Sequence, residues 1–293
     1  MIPKELLRAL RRIEITTRRL ATEQLSGNYI SGFKGQGLAF SEVRKYQPGD
    51  DIRTIDWNVS ARMDETFVKV FVEEREMTVM LVVDVSRSKH FGTRGSQKSR
   101  VAAEVASLCA FSAIKNNDRV GLILSTDRVE KIVPPKKGQK HVLRVVREIL
   151  ASQPESHGTN LEVALQTLYK VARRRSVAFV ISDFFTSGYE RALSLASARH
   201  DIVPLLISDP RDEEMPDVGL ANFQDLETGE DVLVDTSDPR VRAHYAQAMA
   251  ALRAQHVALF NKFGLDHCVV HTHQPYVAPL RELFARRAKR AHR

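Results

Sequence analysis

The stretch TVMLVVDVSRS, Thr78 to Ser88, runs six mostly apolar β-formers into an aspartate and then places two serines at alternate positions. A short apolar run of this kind, with no polar alternation, is what a strand needs when both of its faces are covered. From Thr78 onward such runs alternate with amphipathic stretches, the pattern of a parallel sheet wrapped by helices. The strands expected are 78–84, 119–125, 128–134, 176–182, 201–207 and 266–272. Apolar residues three and four apart predict helices over 99–115, 140–151, 160–173, 189–199, 239–263 and 279–290. Only two residues separate the second and third strands, too few for a crossover helix, so those two form a hairpin and one edge strand is antiparallel.

Three segments flank or interrupt this alternation. Residues 1–24 read as an N-terminal amphipathic helix that packs on the body, with Leu6, Leu7, Leu10 and Ile13 at helical spacing. Residues 25–76 are glycine-rich and alternating, and should form a small β-rich subdomain. Residues 77–293 hold the sheet, with a hairpin insertion at about 210–237 marked by the turn signal ETGED.

Composition sets the outer bounds. The chain has 293 residues and is 43% hydrophobic, enough to bury a sizeable core. Its longest apolar run, VMLVV, is far below the roughly 20 residues of a spanning helix, and the N-terminus is charged within its first turn. The expectation is a cytoplasmic chain with no cleaved signal. Cys109 and Cys268 supply neither a metal cluster nor a disulfide framework. The formal charge of +8 is concentrated at the ends, with net +4 over residues 1–20 and net +5 over 281–293, which leaves the body at −1. Basic ends without interleaved aromatics read as solvated helix faces, so no specific nucleic-acid partner is expected and membrane-surface contact is the lesser reading.

The densest polar segment is YQPGDDIRTIDWNVSAR, Tyr46 to Arg62. Pro48-Gly49 reads as a turn, and Asp50, Asp51 and Asp56 are placed to cap it or to pair with Arg53 and Arg62. We read the segment as a polar brace, with Trp57 anchoring the small subdomain; a partner surface is the alternative use of the same residues.

In a doubly wound sheet, ligands sit beyond the carboxyl ends of the strands where the strand order reverses. Asp84, Ser86 and Ser88 lie past the end of the first strand, Thr159 lies in the loop before a helix, and Asp183 ends the fourth strand. All are hard oxygen donors and suit Mg²⁺. Each also has a purely structural use: Thr159 with Glu162 fits a capping box, and Asp183 could cap the next helix. It is their joint order along the chain that favours a site.

That order resembles the metal-ion-dependent adhesion site of a von Willebrand factor A-like domain, over residues 77 to about 272. The family pattern of Asp-x-Ser-x-Ser, then Thr, then Asp is matched by Asp84, Ser86, Ser88, Thr159 and Asp183. SEVRKYQPGDDIRTIDWNVSAR with the later VKVFVEERE is similar to the signature of the family called domain of unknown function 58. The resemblance implies that the serines and threonine bind Mg²⁺ directly, with Mn²⁺ or Ca²⁺ as substitutes. The aspartates then hold coordinated waters, and one position is left for an acidic residue of a partner. It also implies an adaptor role beside a MoxR-type AAA+ ATPase, acting on a client that the sequence does not name. One departure is Lys89, preceded by Arg87, where many such domains carry a small or methionine-type residue; the added charge weakens cation binding and strengthens recognition of an acidic partner.

The reading is therefore a non-enzymatic, divalent-metal-dependent interaction module with no catalytic residues. The rival is a metal-dependent hydrolase on the same rim, either a nucleotide hydrolase or a nuclease. GTRGSQKS, Gly92 to Ser99, is one residue from a phosphate-binding loop, but Gln97 stands where that loop needs glycine. A nuclease wants more carboxylates than this rim offers, and Glu104 is the only nearby addition.

Overall fold

The structure, a computed structural model, describes residues 4–21, 38–63, 65–73, 76–86, 98–156, 158–224 and 231–291. The chain divides into two compact units, Lys34–Glu76 on one side and Met1–Phe33 with Met77–Arg293 on the other. The N-terminal helix α1 (Lys4–Leu20) belongs to the larger unit, where Ile13 and Ala21 join the core and the Thr17 hydroxyl donates back to the Ile13 carbonyl.

The smaller unit holds β1 (Leu38–Lys45), a 3-10 turn at Ile52–Thr54, helix α2 (Trp57–Met63) and β2 (Phe67–Glu73). The two strands pair antiparallel with a bulge between Phe40 and Glu42. A two-stranded ribbon has little apolar face to bury, and neither the 3-10 turn nor α2 contains a buried residue.

The larger unit continues with β3 (Thr78–Asp84), α3 (Lys98–Lys115), β4 (Arg119–Ser125), β5 (Val129–Lys136), α4 (Gln139–Leu150), α5 (Leu161–Val171) and β6 (Val177–Ser182). It ends with α6 (Glu190–Arg199), β7 (Asp201–Ser208), α7 (Pro210–Glu213), β8 (Leu220–Gln224), β9 (Asp231–Asp235), α8 (Pro239–Lys262), β10 (Cys268–His271) and α9 (Val277–Ala291). The six strands and six helices expected here fall within two residues of their predicted edges. The inserted hairpin is β8–β9, paired antiparallel, and most of its ETGED turn lies outside the described residues.

The six-stranded sheet has the order β10-β7-β6-β3-β4-β5, parallel throughout except where β5 runs antiparallel to β4 at the edge. Strand β3 shows how sequence becomes layers. Val79, Leu81 and Val83 enter the core shared with α1, α3, α4 and α9, whereas Met80 and Val82 enter the core shared with α5, α6 and Phe260 of α8. Period-two side chains thus feed two cores, and burying each contributes about 1.5–3 kcal/mol. Packing there is close: a Cβ at Gly121 would lie 2.6 Å from the Met80 sulfur. Edge strand β5 carries Pro134 and Pro135, which suit a strand that needs no partner on its outer side.

His200 joins α6 to β7 with its imidazole buried, and neither ring nitrogen has a hydrogen-bond partner among the described residues. Burial pushes its pKa down to about 4. The unfolded chain binds a proton at this ring from about pH 6.5 downward while the folded chain resists until about pH 4. Stability contributed by the neutral ring is therefore present above pH 6.5 and falls through that window, by a few kcal/mol at most. We expect urea midpoints measured from pH 7 to pH 4 to decline less steeply in His200→Phe than in the parent. Parallel curves would mean that the ring is not buried in its neutral form.

Candidate functional site at the sheet rim

The strand order reverses between β3 and β6, because the chain leaves β3 for β4 on one side and returns to β6 on the other. Asp84 ends β3 and Ser182-Asp183 ends β6, so both aspartates flank the crevice where ligands bind in sheets of this kind. Both are buried, as are Ser86 and Ser182.

Hydrogen bonds fix the Asp84 carboxylate on both oxygens. Oδ1 accepts from the Ser86 backbone N–H at 2.9 Å, and Oδ2 accepts from the Ser182 hydroxyl at 2.6 Å. Ser182 in turn accepts from the Phe184 N–H at 3.0 Å, which ties the end of β3 to the loop after β6. Asp183 Oδ1 accepts from the Phe185 N–H at 3.3 Å. The Thr186 hydroxyl donates to the Thr159 carbonyl at 3.2 Å, bringing the loop before α5 to the same rim. Four of the five expected donors, Asp84, Ser86, Thr159 and Asp183, thus belong to one end of the sheet. Ser88 lies outside the described residues.

The structural uses weighed for these residues turn out differently. Asn160, not Thr159, caps α5 by accepting from the Val163 N–H, and Asp183 turns its own loop instead of capping α6, whose cap position is Tyr189. Glu104 pairs with Arg100 on α3 and faces Tyr276, so it adds no carboxylate to the rim. Among the described residues no group of three or more His, Cys, Asp or Glu is arranged to hold a metal ion.

Lys98, the first residue of α3, is the group that pattern reading missed. Its side chain is 2% exposed, and its ammonium lies 3.3 Å from Asp183 Oδ2, 2.7 Å from Asp212 Oδ1 and 5.0 Å from the centre of the Phe185 ring. This lysine occupies the P-loop-like position of GTRGSQKS, and its ammonium is held by carboxylates; residues 92–97 lie outside the described residues. Asp212 lies on α7, and its Oδ2 accepts from the Asp209 N–H at 2.9 Å. Burial pushes the Asp212 carboxyl up, against the pull of Lys98. Asp209 accepts from Arg211 N–H and from the Thr272 hydroxyl past β10. Next to it, Glu213 takes hydrogen bonds from Ser208 and Arg253, which hold its carboxyl below the usual range against the effect of burial. A polar network therefore crosses the rim from Asp183 to the insertion and to α8.

Behind Asp183 a crevice of about 20 Å³, room for roughly one water, is lined by Phe185, Ser208, Asp212, Arg253 and His256. His256 Nδ1 is 2.8 Å from the Tyr189 hydroxyl, and burial lowers its pKa while the charges of Asp183 and Glu190 oppose that shift.

As a setting for a divalent cation, the rim fits in donor chemistry: carboxylate and hydroxyl oxygens on short loops at a switch point. Its charge is already partly matched, since one cation, Lys98, sits on Asp183.

The small unit carries the opening polar segment. Gln47-Pro48-Gly49-Asp50 is the expected turn, with the Asp50 N–H donating to the Gln47 carbonyl and Gly49 at φ 108°, a left-handed geometry glycine adopts at no steric cost. Asp51 caps the 3-10 turn and Asp56 accepts from the Asn58 and Val59 N–H groups at the start of α2. The pairing cations are not those expected. Asp50 makes a bidentate pair with Arg44 at 2.7 Å, which lowers its pKa, and Lys69 lies 3.7 Å from Asp56; among the described residues no ion pair includes Arg53 or Arg62. Arg44 reaches Asp50 from the end of β1, which leads into the turn, and Lys69 reaches Asp56 from β2. Trp57 is 67% exposed, a correction to its expected role as a buried anchor, because it opens a seven-residue helix that buries nothing.

The strand order, the single antiparallel edge strand and the two helical layers define a doubly wound, mostly parallel α/β domain. The chain belongs to the family described as "Protein of unknown function DUF58", whose model matches residues 42–255. It is 33% identical over 291 residues to "Uncharacterized protein Rv1480" of Mycobacterium tuberculosis, covering 98% of this chain and 91% of that one. Among solved structures it is similar to BatB from Bacteroides thetaiotaomicron (16% identity, TM-score 0.46, 73% of this chain and 99% of that one). It is also similar to a von Willebrand factor type A protein from Catenulispora acidiphila (11% identity, TM-score 0.37, 77% and 44%). Among the described residues no helix is long and apolar enough to cross a membrane.

Proposed function

We propose that this chain is a non-enzymatic protein-interaction module whose sheet rim recognises an acidic residue of a partner through a divalent cation, Mg²⁺ or a substitute. Asp84, Ser86, Thr159 and Asp183, with Ser88, would hold the ion. The ion's contribution is an open coordination position for a carboxylate. The chain's own residues do the rest: Ser182 orients Asp84, the Asp183 loop is set by Phe184 and Phe185, and burial of these groups excludes competing water. What carries the reading is the Asp84–Ser182 hydrogen bond beside Asp183 at the strand-order reversal. With the family resemblance, the reading extends to an adaptor that couples a MoxR-type AAA+ ATPase to a client protein inside the cell.

The test is calorimetric titration of Mg²⁺ into chelator-stripped protein, repeated on Asp84→Ala and on Ser86→Ala/Ser88→Ala. Saturable heat in the parent that disappears in both variants is the expected result. Binding that persists in both would remove the rim from the account.

A further inference from the structure

We infer that Lys98 is a built-in competitor for this site: its ammonium lies against Asp183, and a divalent cation binds the rim only against that hold. The inference rests on the reading above and adds a regulator to it. Three features carry it. Lys98 is buried almost completely at the first position of α3. Its ammonium touches a carboxylate of the proposed site, Asp183, and one outside it, Asp212, so it bridges the rim to the insertion. The ring of Phe185, in the same loop as Asp183, lies 5.0 Å from the ammonium, a third contact that favours a cation there.

Two cations that share one carboxylate repel each other, and the repulsion is screened little where all the groups are buried. Metal occupancy and the Lys98–Asp183 contact are therefore linked with opposite sign, and the linkage must be reciprocal. The anchor on the other side is fixed. Asp212 is held by the Asp209 N–H, Asp209 by Thr272, and the adjoining Glu213 by Arg253 of α8. Weakening the Lys98–Asp183 contact thus shifts the lysine toward α7, the short helix that opens the insertion.

The experiment is a Mn²⁺ titration, read by the loss of free-ion paramagnetic resonance signal, on the full chain and two variants. Lys98→Met removes the competing charge. Lys98→Met/Asp212→Asn also removes the carboxylate left without a cation, so a folded protein is retained if the single change is too costly. We expect either variant to bind Mn²⁺ about tenfold or more tightly than the parent, within the range usual for coupled sites. Equal or weaker affinity in the folded variants, with binding in the parent intact, overturns the competitor while leaving the metal site standing. Absence of binding in all three would remove both.

Discussion

Asp212→Ala is expected to lower the stability of the large unit by about 3–5 kcal/mol, the usual cost of breaking a buried ion pair from one side. The Lys98 side chain is only 2% exposed. In the parent its ammonium has Asp212 at 2.7 Å and Asp183 at 3.3 Å, so the variant loses the nearer carboxylate and leaves a buried charge with only the longer one. The change also removes the acceptor of the Asp209 N–H, opening a second buried donor. Urea unfolding near pH 7 reads the loss directly. Because the cost comes from an unmatched charge, Lys98→Met/Asp212→Ala should lose less than the sum of the two single changes. A loss below about 1 kcal/mol for Asp212→Ala would mean that water reaches the ammonium and that the contact behaves as a surface pair.

The same pair marks where reading the sequence stops. The strands of the sheet could be placed from their own residues, since a run such as VMLVV is buried on both faces and each residue reports its layer. Asp84 and Asp183 were legible because strand ends at a switch point fall on one rim whatever the loops do. Lys98 was not, because its partners lie 85 and more residues away and nothing local separates a buried lysine from a solvated one at a helix start. Trp57 failed for the opposite reason: residue type suggested burial, but the small unit lacks the apolar area to bury it. Arg53 and Arg62 lie inside the polar segment, whereas the cations that pair with its aspartates stand on the strands that flank it, Arg44 on β1 and Lys69 on β2. Asn160 displaced Thr159 as cap by a single position, a margin that sequence patterns do not resolve.

Phe184 should give the second large effect, and with an unusual order among its variants. It follows Asp183 and has φ 61°, a left-handed conformation that costs a side-chain-bearing residue about 1–2 kcal/mol. The conformation is maintained because the ring is 1% exposed, edge-on to Phe260 at 5.2 Å and near Tyr189 and His256, while its N–H donates to Ser182. Phe184→Ala forfeits the ring and keeps the strain, so a loss of about 3–5 kcal/mol is expected. Phe184→Gly forfeits the same ring but removes the strain, and should therefore be the more stable of the two by roughly 1 kcal/mol, the reverse of the usual ranking of alanine over glycine. Chemical denaturation of both proteins decides the point. Alanine more stable than glycine would show that the backbone relaxes out of the left-handed region. Ring packing would then not be what aims Asp183. With the expected order, the aromatic cluster under the rim and the carboxylate on it form one unit, and loosening the first should weaken whatever the second binds.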